Sequence, residues 1–387
     1  MMAQNQLLEE LNYEQTKQNV GGIIFVTIIM ITGIIGNLHV LFVYTFRMKP
    51  SNHRIFILSL AVLDMITCIV GMPFIIVDLR NPLTFTMVSA CKVLRFVNYF
   101  ICISSALILT VIAIDRYRMI CVPLGKQISR QKAKILIVVC IGLSIVLSWP
   151  APVLFGHSSV NTTNPNITGI RCSTDNQFKN TKYQSYFNAL LIMLVFGFLS
   201  VLIVIYYRIG RVVSKHMTFK SSVPEATSSD ISKAKITVST DLSSENKSSK
   251  NEKESKMTNN INCINNKSKA VPCNDIVMIS NLEQNHTKHK QHEKSKFNRA
   301  KRTTFMFFLL TLFFFISYTP HLTLKILTTV KTGFVSNMSF TGKVLYNTFI
   351  YCFFINNMAN CFIYGFCDFR FRTEVYNFYN KFLCRNI

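Results

Sequence analysis

The chain has 387 residues, of which 50% are hydrophobic, and its formal net charge at pH 7 is +24. A soluble domain of this length is rarely so apolar. A nucleic-acid-binding protein can be this basic, but it does not carry its basic residues between apolar runs of twenty or more, so no nucleic-acid partner is expected.

Seven apolar stretches are long enough to cross a bilayer, whose hydrocarbon core needs about 20 helical residues. No cleavable signal peptide is recognisable before the first stretch, which we interpret as a signal anchor. We predict an all-α, seven-transmembrane helix bundle. The predicted spans are residues 23–46, 55–77, 92–114, 133–155, 185–207, 303–329 and 343–365.

Charge predicts the orientation of these spans. The loops after the first, third and fifth spans and the C-terminal tail are all basic, whereas residues 1–22 are slightly acidic. With seven spans the four basic segments share one side, which the positive-inside rule assigns to the cytoplasm. We therefore predict a multi-pass protein of the plasma membrane with an extracellular N-terminus.

The chain divides by composition into five predicted parts. Residues 215–300 are rich in Lys, Ser, Asn and Thr, which predicts a disordered basic third inner loop. Its basic end, Lys294 to Arg302, should lie against anionic membrane lipid. The other parts are the extracellular N-terminus (1–22), the first five spans (23–214), the last two spans (301–365), and an amphipathic eighth helix with the cytoplasmic tail (366–387).

Two of the twelve cysteines, Cys91 and Cys172, lie in or beside predicted outer loops and face an oxidising compartment. A disulfide between them is the economical pairing, and two free thiols are the alternative. Three glycosylation sequons also fall on the outer side, at Asn161, Asn166 and Asn337. In the tail, Cys384 follows the amphipathic stretch and is a candidate for palmitoylation, with a free cytosolic thiol as the alternative.

The spans also carry polar and ring residues at characteristic places. They are Gly36-Asn37, Asp64, Ser105, Asp115-Arg116-Tyr117, Phe314, Pro320, Asn356, Asn357, Asn360 and Tyr364. In register, these residues strongly resemble those of the rhodopsin-like (class A) G-protein-coupled receptors, over about residues 23–214 and 297–384. Within that class the chain looks most like the peptide-receptor branch, near the invertebrate cholecystokinin- and orexin-receptor-like group.

The resemblance implies a receptor rather than an enzyme. Such a receptor binds an extracellular ligand and activates heterotrimeric G proteins when its sixth helix moves outward, and arrestin and receptor kinases are further partners. In the resting state Arg116 pairs with Asp115, and Tyr206 or Tyr207, with Tyr364, holds it in the active state. The implied switch residues are Asp115, Arg116, Tyr117, Tyr206, Tyr318, Pro320, Asn360 and Tyr364.

Asp64 is a carboxylate in the middle of the membrane, where it needs polar partners. Asn37, Ser105, Asn356 and Asn360 could supply hydrogen bonds to it. In the resembled family such a cluster can hold a sodium ion, and oxygen ligands suit a hard cation. A water-filled polar knot without an ion is the alternative; no other cofactor is expected.

Several residues depart from the family pattern. The inner end of the sixth span reads Arg299-Ala-Lys-Arg and has no acid, so the usual ion lock is absent and raised basal activity is expected. Tyr318 replaces the tryptophan before Pro320, and Cys361 replaces a proline, which should leave the seventh helix straighter there. Either a working receptor or a ligand-independent or decoy receptor fits these departures.

The charged residues of the sequence restrict the chemical class of the ligand. Asn98 occupies the place where amine receptors have a carboxylate, and residues 350–354 contain no lysine for a retinal Schiff base. The outer face is basic, which favours a peptide with acidic or C-terminal carboxylate groups, with a lipid or small acid second. Asn98 and Tyr318 are the candidate pocket residues. The alternative from another class, a transporter or channel, predicts internal repeats, and none is recognisable.

Overall fold

The computed structural model describes residues 2–162, 164–222, 273–331 and 333–383. The chain forms two compact units, one made of Met1–Val212 with Asn298–Ile387 and the other of Val213–Phe297. The first unit contains the bundle. Seven helices are long and apolar enough to cross a membrane: Gln4–Phe46, Asn52–Arg80, Val88–Cys121, Arg130–Leu154, Tyr183–His216, Phe297–Thr328 and Phe340–Cys367. The predicted seven-helix bundle is confirmed.

The first helix runs from Met2 to Phe46, so it continues through the polar segment that precedes the predicted span. The extension is docked by buried asparagines. Asn12 Nδ2 donates to the carbonyl of Arg80 at 3.2 Å, and Asn19 Nδ2 donates to the carbonyl of Leu79 at 2.8 Å. Hydropathy misses such a segment because hydrogen bonds rather than apolar burial hold it.

Two spans change their helical form within the membrane. The second is α-helical over Asn52–Ile66, π-helical over Thr67–Gly71 and α-helical again over Met72–Arg80. Pro73 lies just after the π turn, and its missing N–H explains why the regular hydrogen-bond ladder is interrupted there.

The seventh span consists of Phe340–Phe349, a 3-10 turn at Cys352–Phe354, and Ile355–Cys367. Its last part runs unbroken through Cys361, as expected where proline is replaced. The third, fifth and sixth spans lie within the helices Val88–Cys121, Tyr183–Ser222 and Cys273–Val330.

The fourth span consists of the helices Arg130–Ser148 and Ala151–Leu154, and a β-hairpin follows it. Strand β1 (Phe155–Asn161) pairs antiparallel with β2 (Thr168–Thr174), and the disulfide Cys91–Cys172 ties β2 to the third span. The predicted disulfide is confirmed. The all-α prediction omitted the hairpin, although Asn-Pro-Asn between two Thr- and Val-containing runs is a turn signal.

The predicted disordered loop is partly wrong. Residues 215–222 continue the fifth helix, and residues 273–300 are the beginning of the sixth. Extending an existing helix costs far less than starting one, so a Lys-, Glu- and Gln-containing segment next to a span can remain helical. Residues 223–272 lie outside the described part of the chain, as does Cys384 with its predicted palmitoylation.

The amphipathic eighth helix is present as Phe369–Leu383. It contacts the first span, because the ring of Phe378 lies 4.9 Å from that of Phe42, and His39 Nε2 hydrogen-bonds to the Tyr379 hydroxyl. Nearer its start, the buried ring of Phe371 stacks on Tyr44 at 5.7 Å. These contacts place the eighth helix beside the end of the bundle that the charge pattern predicts to be cytoplasmic, which is called the inner end below, and the opposite end the outer end.

Removing the amide of Asn19 should weaken the docking of the first helix. Asn19 also accepts a hydrogen bond from Asn347 Nδ2 at 2.7 Å, so Asn19→Ala removes one hydrogen bond to the second span and one to the seventh. We expect a loss of about 1–3 kcal/mol, measured as thermal unfolding of the purified protein. Glu14→Ala, which removes one member of an exposed ion pair on the same helix, is the matched control. Equal melting of both variants would contradict the docking role.

Candidate functional site

An ion pair is buried at the inner end of the third span. A nitrogen of the Arg116 guanidinium donates to Asp115 Oδ2, and the two residues are only 2% and 3% exposed. Asp115 Oδ1 also accepts from Asn52 Nδ2 at 3.2 Å, and Asn52 donates to the carbonyl of Ile128 at 2.7 Å. The second span and the second inner loop therefore fix the carboxylate that holds Arg116. Tyr117, the third residue of the motif, is half-buried.

Arg116 faces the sixth span on its other side. The guanidinium carbon lies 5.4 Å from the ring centre of Phe307, and one guanidinium nitrogen lies 3.7 Å from the sulfur of Met119. Phe307 is completely buried. The pair with Asp115, expected from the resemblance, is thus present, and an aromatic ring of the sixth span completes the environment of the arginine.

The tyrosines expected near Arg116 have other neighbours. The Tyr206 hydroxyl hydrogen-bonds to Thr311 Oγ1 of the sixth span at 3.1 Å, and its ring lies edge-on to Phe308. Tyr207 is 64% exposed, so Tyr206 is the inward-facing member of that pair. Tyr364 is completely buried, and its hydroxyl has no hydrogen-bond partner among the described residues.

A polar cluster that was not predicted from the sequence surrounds Asp368, the residue before the eighth helix. The Tyr44 hydroxyl donates to Asp368 Oδ2 at 2.7 Å, while Asp368 Oδ1 accepts from the backbone N–H of Arg370 at 3.0 Å and so caps the helix. His53 Nε2 lies 3.9 Å from the same carboxylate. The signal in the sequence was an aspartate immediately before an amphipathic run.

In the middle of the bundle, Asn360 Nδ2 donates a hydrogen bond to Asp64, which is buried. Asn37 Nδ2 donates to the carbonyl of Asn357 at 2.9 Å and joins the first span to the seventh, while its side-chain oxygen is buried without a partner among the described residues. The Asp64 carboxylate and the Asn37 side-chain oxygen can act as ligands to a sodium ion or accept hydrogen bonds from water. A sodium ion at this place, with water as the alternative, stays a prediction.

Ser105 and Asn356, the other two members of the expected polar cluster, line a neighbouring cavity of about 20 Å³ together with Asn98 and Tyr318. The structure therefore spreads the cluster over two adjoining places, one at Asp64 and one at this cavity. Tyr318 packs with its ring 4.6 Å from Phe314 and 5.5 Å from Phe353. The cavity has room for about one water molecule, and both predicted ligand residues are part of its lining.

The outer end of the bundle concentrates basic groups. Arg95 donates to Asp78 at 2.9 Å and to the carbonyl of Cys172 at 3.0 Å, which joins the second and third spans to the hairpin. Lys325 of the sixth span lies within electrostatic range of Arg95 and Arg171. The three sequon asparagines are all exposed, so glycosylation there stays a prediction that the geometry permits.

Comparisons with known proteins agree with this geometry. The crystal structure of squid rhodopsin matches with a TM-score of 0.61 and 17% identity, covering 95% of this chain and 87% of that one. The chain therefore shares the seven-helix fold of that protein. The model of the 7 transmembrane receptor (rhodopsin family) matches residues 36–364. The chain belongs to this family, whose members are multi-pass membrane receptors and not enzymes, and this confirms the resemblance to the class A receptors.

Curated relatives match over shorter stretches. The GQ-coupled rhodopsin of Mizuhopecten yessoensis is 31% identical over 50% of this chain and 38% of its own length. The human neuropeptide S receptor is 30% identical over 35% and 36%. Nematocin receptor 2 of Caenorhabditis elegans is 29% identical over 42% of each protein. The chain thus spans less than half the length of these relatives.

Asp368 should anchor the eighth helix to the bundle. Asp368→Ala removes both the helix cap and the acceptor of the buried Tyr44 hydroxyl, and we expect a loss of about 1–3 kcal/mol. Thermal unfolding of the purified protein measures this loss. Glu374→Ala, which removes a carboxylate from within the same helix, should melt close to the wild type. If Asp368→Ala also melted there, the anchoring role would be refuted.

Proposed function

We propose that this chain is a G-protein-coupled receptor of the plasma membrane that turns the binding of an extracellular peptide into activation of heterotrimeric G proteins. The buried Arg116–Asp115 pair against the sixth span carries this proposal. Asp115 holds the buried arginine on one side, and a helix that can move covers it on the other. Movement of that helix would expose the arginine to the G protein.

The sixth span supplies the movable part. Pro320 lies inside its helix and removes one backbone hydrogen bond, which creates a point about which the inner half can swing outward. The swing would break the Tyr206–Thr311 hydrogen bond and free the Tyr206 hydroxyl. It could then hold Arg116 in the open state together with the Tyr364 hydroxyl, which has no hydrogen-bond partner among the residues that the structure describes.

A peptide ligand is favoured by the outer end. Arg95 is paired with Asp78, and Arg171 and Lys325 add further positive charge close to it. This excess attracts acidic or C-terminal carboxylate groups. The human relative is named as a neuropeptide receptor, and the rhodopsin relatives give no support for retinal here, because residues 350–354 contain no lysine.

On this proposal the N-terminus is extracellular and the basic loops are cytoplasmic, where arrestin and receptor kinases would also act. The intact Asp115-Arg116-Tyr117 motif, with its first two residues buried and paired, favours a working receptor over a decoy.

Two substitutions in the buried pair should act in opposite directions. Asp115→Asn removes the charge that holds Arg116, so basal G-protein activation should rise about tenfold, the factor expected for a charge-assisted hydrogen bond. Arg116→Ala should abolish activation. A G-protein dissociation reporter in cells measures both, at matched surface expression, with Arg118→Ala, an exposed arginine on the same helix, as control. Unchanged signal in both variants would contradict the proposed switch.

The outer basic groups should recognise a carboxylate. Cells are given a neuropeptide library synthesised twice, with free C-terminal acids and with amides, and responding peptides are tested on variants. Lys325→Ala and Arg171→Ala should each lower the potency of an acid peptide about tenfold and leave its amide form less affected. Lys179→Ala, whose ammonium group bonds to the hairpin carbonyl of Ser159, is the control. Equal losses for both forms would argue against carboxylate recognition.

A further inference from the structure

The inner end of the sixth span presents an electrostatic problem. It reads Arg299-Ala-Lys-Arg, three cations without an acid, and the buried Arg116 adds a fourth positive charge on the facing third span. Like charges repel one another, and a buried guanidinium is costly unless it is compensated. Asp115 compensates it from within the third span, which leaves open what keeps the sixth span against it.

The contact across the two spans is aromatic. The ring of Phe307 lies with its centre 5.4 Å from the guanidinium carbon of Arg116, within the range of a cation–π interaction. Phe307 is 0% exposed and Arg116 is 2% exposed, so the contact is shielded from solvent, where such interactions are strongest.

The same ring is held from a second direction. His53 of the second span meets it at 5.5 Å with the two rings at 76°, an edge-on arrangement. Phe307 therefore lies between the second and third spans. The neighbouring phenylalanines do not share this place: Phe305 is 56% exposed on the outside of the bundle, and Phe308 packs against Tyr206.

We propose that Phe307 is the positioning residue that holds the inner end of the sixth span on Arg116 in the resting state, in place of a carboxylate. The inference rests on the proposed function, since the resting state is defined by G-protein activation. An outward swing must withdraw the ring from both Arg116 and His53. Basal activity then depends on the electron density of the Phe307 ring. This contact restrains the sixth span although residues 299–302 contain no acid.

Fluorinated phenylalanines test the electrostatic part of this contact. Each added fluorine withdraws density from the face of the ring and changes its size little, so a residue that only fills space is not affected stepwise. Phenylalanine with one, two or three ring fluorines is introduced at position 307 by nonsense suppression in cells carrying the G-protein reporter. The same series at position 305 is the control, because that ring lies on the same helix away from Arg116.

We expect basal activation to rise with each fluorine at position 307, by at least about twofold over the series, the factor for a cation–π contact of modest strength. The series at position 305 should stay flat. A flat series at position 307, in cells where Asp115→Asn raises the signal, would overturn the role of Phe307 and leave the proposed function standing.

A second measurement does not require G-protein coupling. Hydrogen–deuterium exchange of residues 299–310 is compared in the purified full chain in lipid nanodiscs, as wild type, Phe307→Leu and Phe305→Leu. Faster exchange in Phe307→Leu alone supports the proposal, and equal exchange in all three overturns it. If no variant signals in cells, including Asp115→Asn, the proposed function fails, and this exchange result still decides whether Phe307 holds the helix.

Discussion

The structure depends on the burial of a charged pair inside an apolar bundle. Arg116 and Asp115 are almost completely enclosed, and charges in such surroundings need partners with good geometry. Asn52 fixes the carboxylate, and the sixth span covers the guanidinium. The positions of the second, third and sixth spans at the inner end are consequently fixed by contacts to these two side chains. Any movement of one span must provide new partners for the two buried charges.

The seven spans could be predicted because each satisfies a simple requirement, a predominantly apolar helix of bilayer length. The local departures from regular α-helix could not be predicted. The π turn before Pro73 and the 3-10 turn at Cys352–Phe354 depend on how backbone carbonyls find donors. The β-hairpin is short, and its pairing is stabilised by a disulfide to another element. The polar start of the first helix is held by Asn12 and Asn19, whose partners lie more than fifty residues away.

The candidate site shows the same division. Asp115, Arg116 and Asp64 could be singled out because ionisable residues in a membrane demand an explanation. Phe307 could not, since one phenylalanine among many in the sixth span has nothing in the sequence to mark it. Asp368 and His53 were missed because the first lies at a helix start and the second at a span end, where polar residues are common. Their partners become visible only when the helices are packed.

The long first helix has a mechanical consequence. Its 45 residues, at about 1.5 Å each, make a rod of about 67 Å, roughly twice the thickness of the hydrocarbon core. Its polar portion is bonded to the end of the second span, and through Asn19 and Asn347 to the seventh. A molecule that bound the polar part of this helix would be coupled to both spans through these hydrogen bonds. Force applied well outside the bilayer could in this way be delivered to the helices that enclose the polar centre.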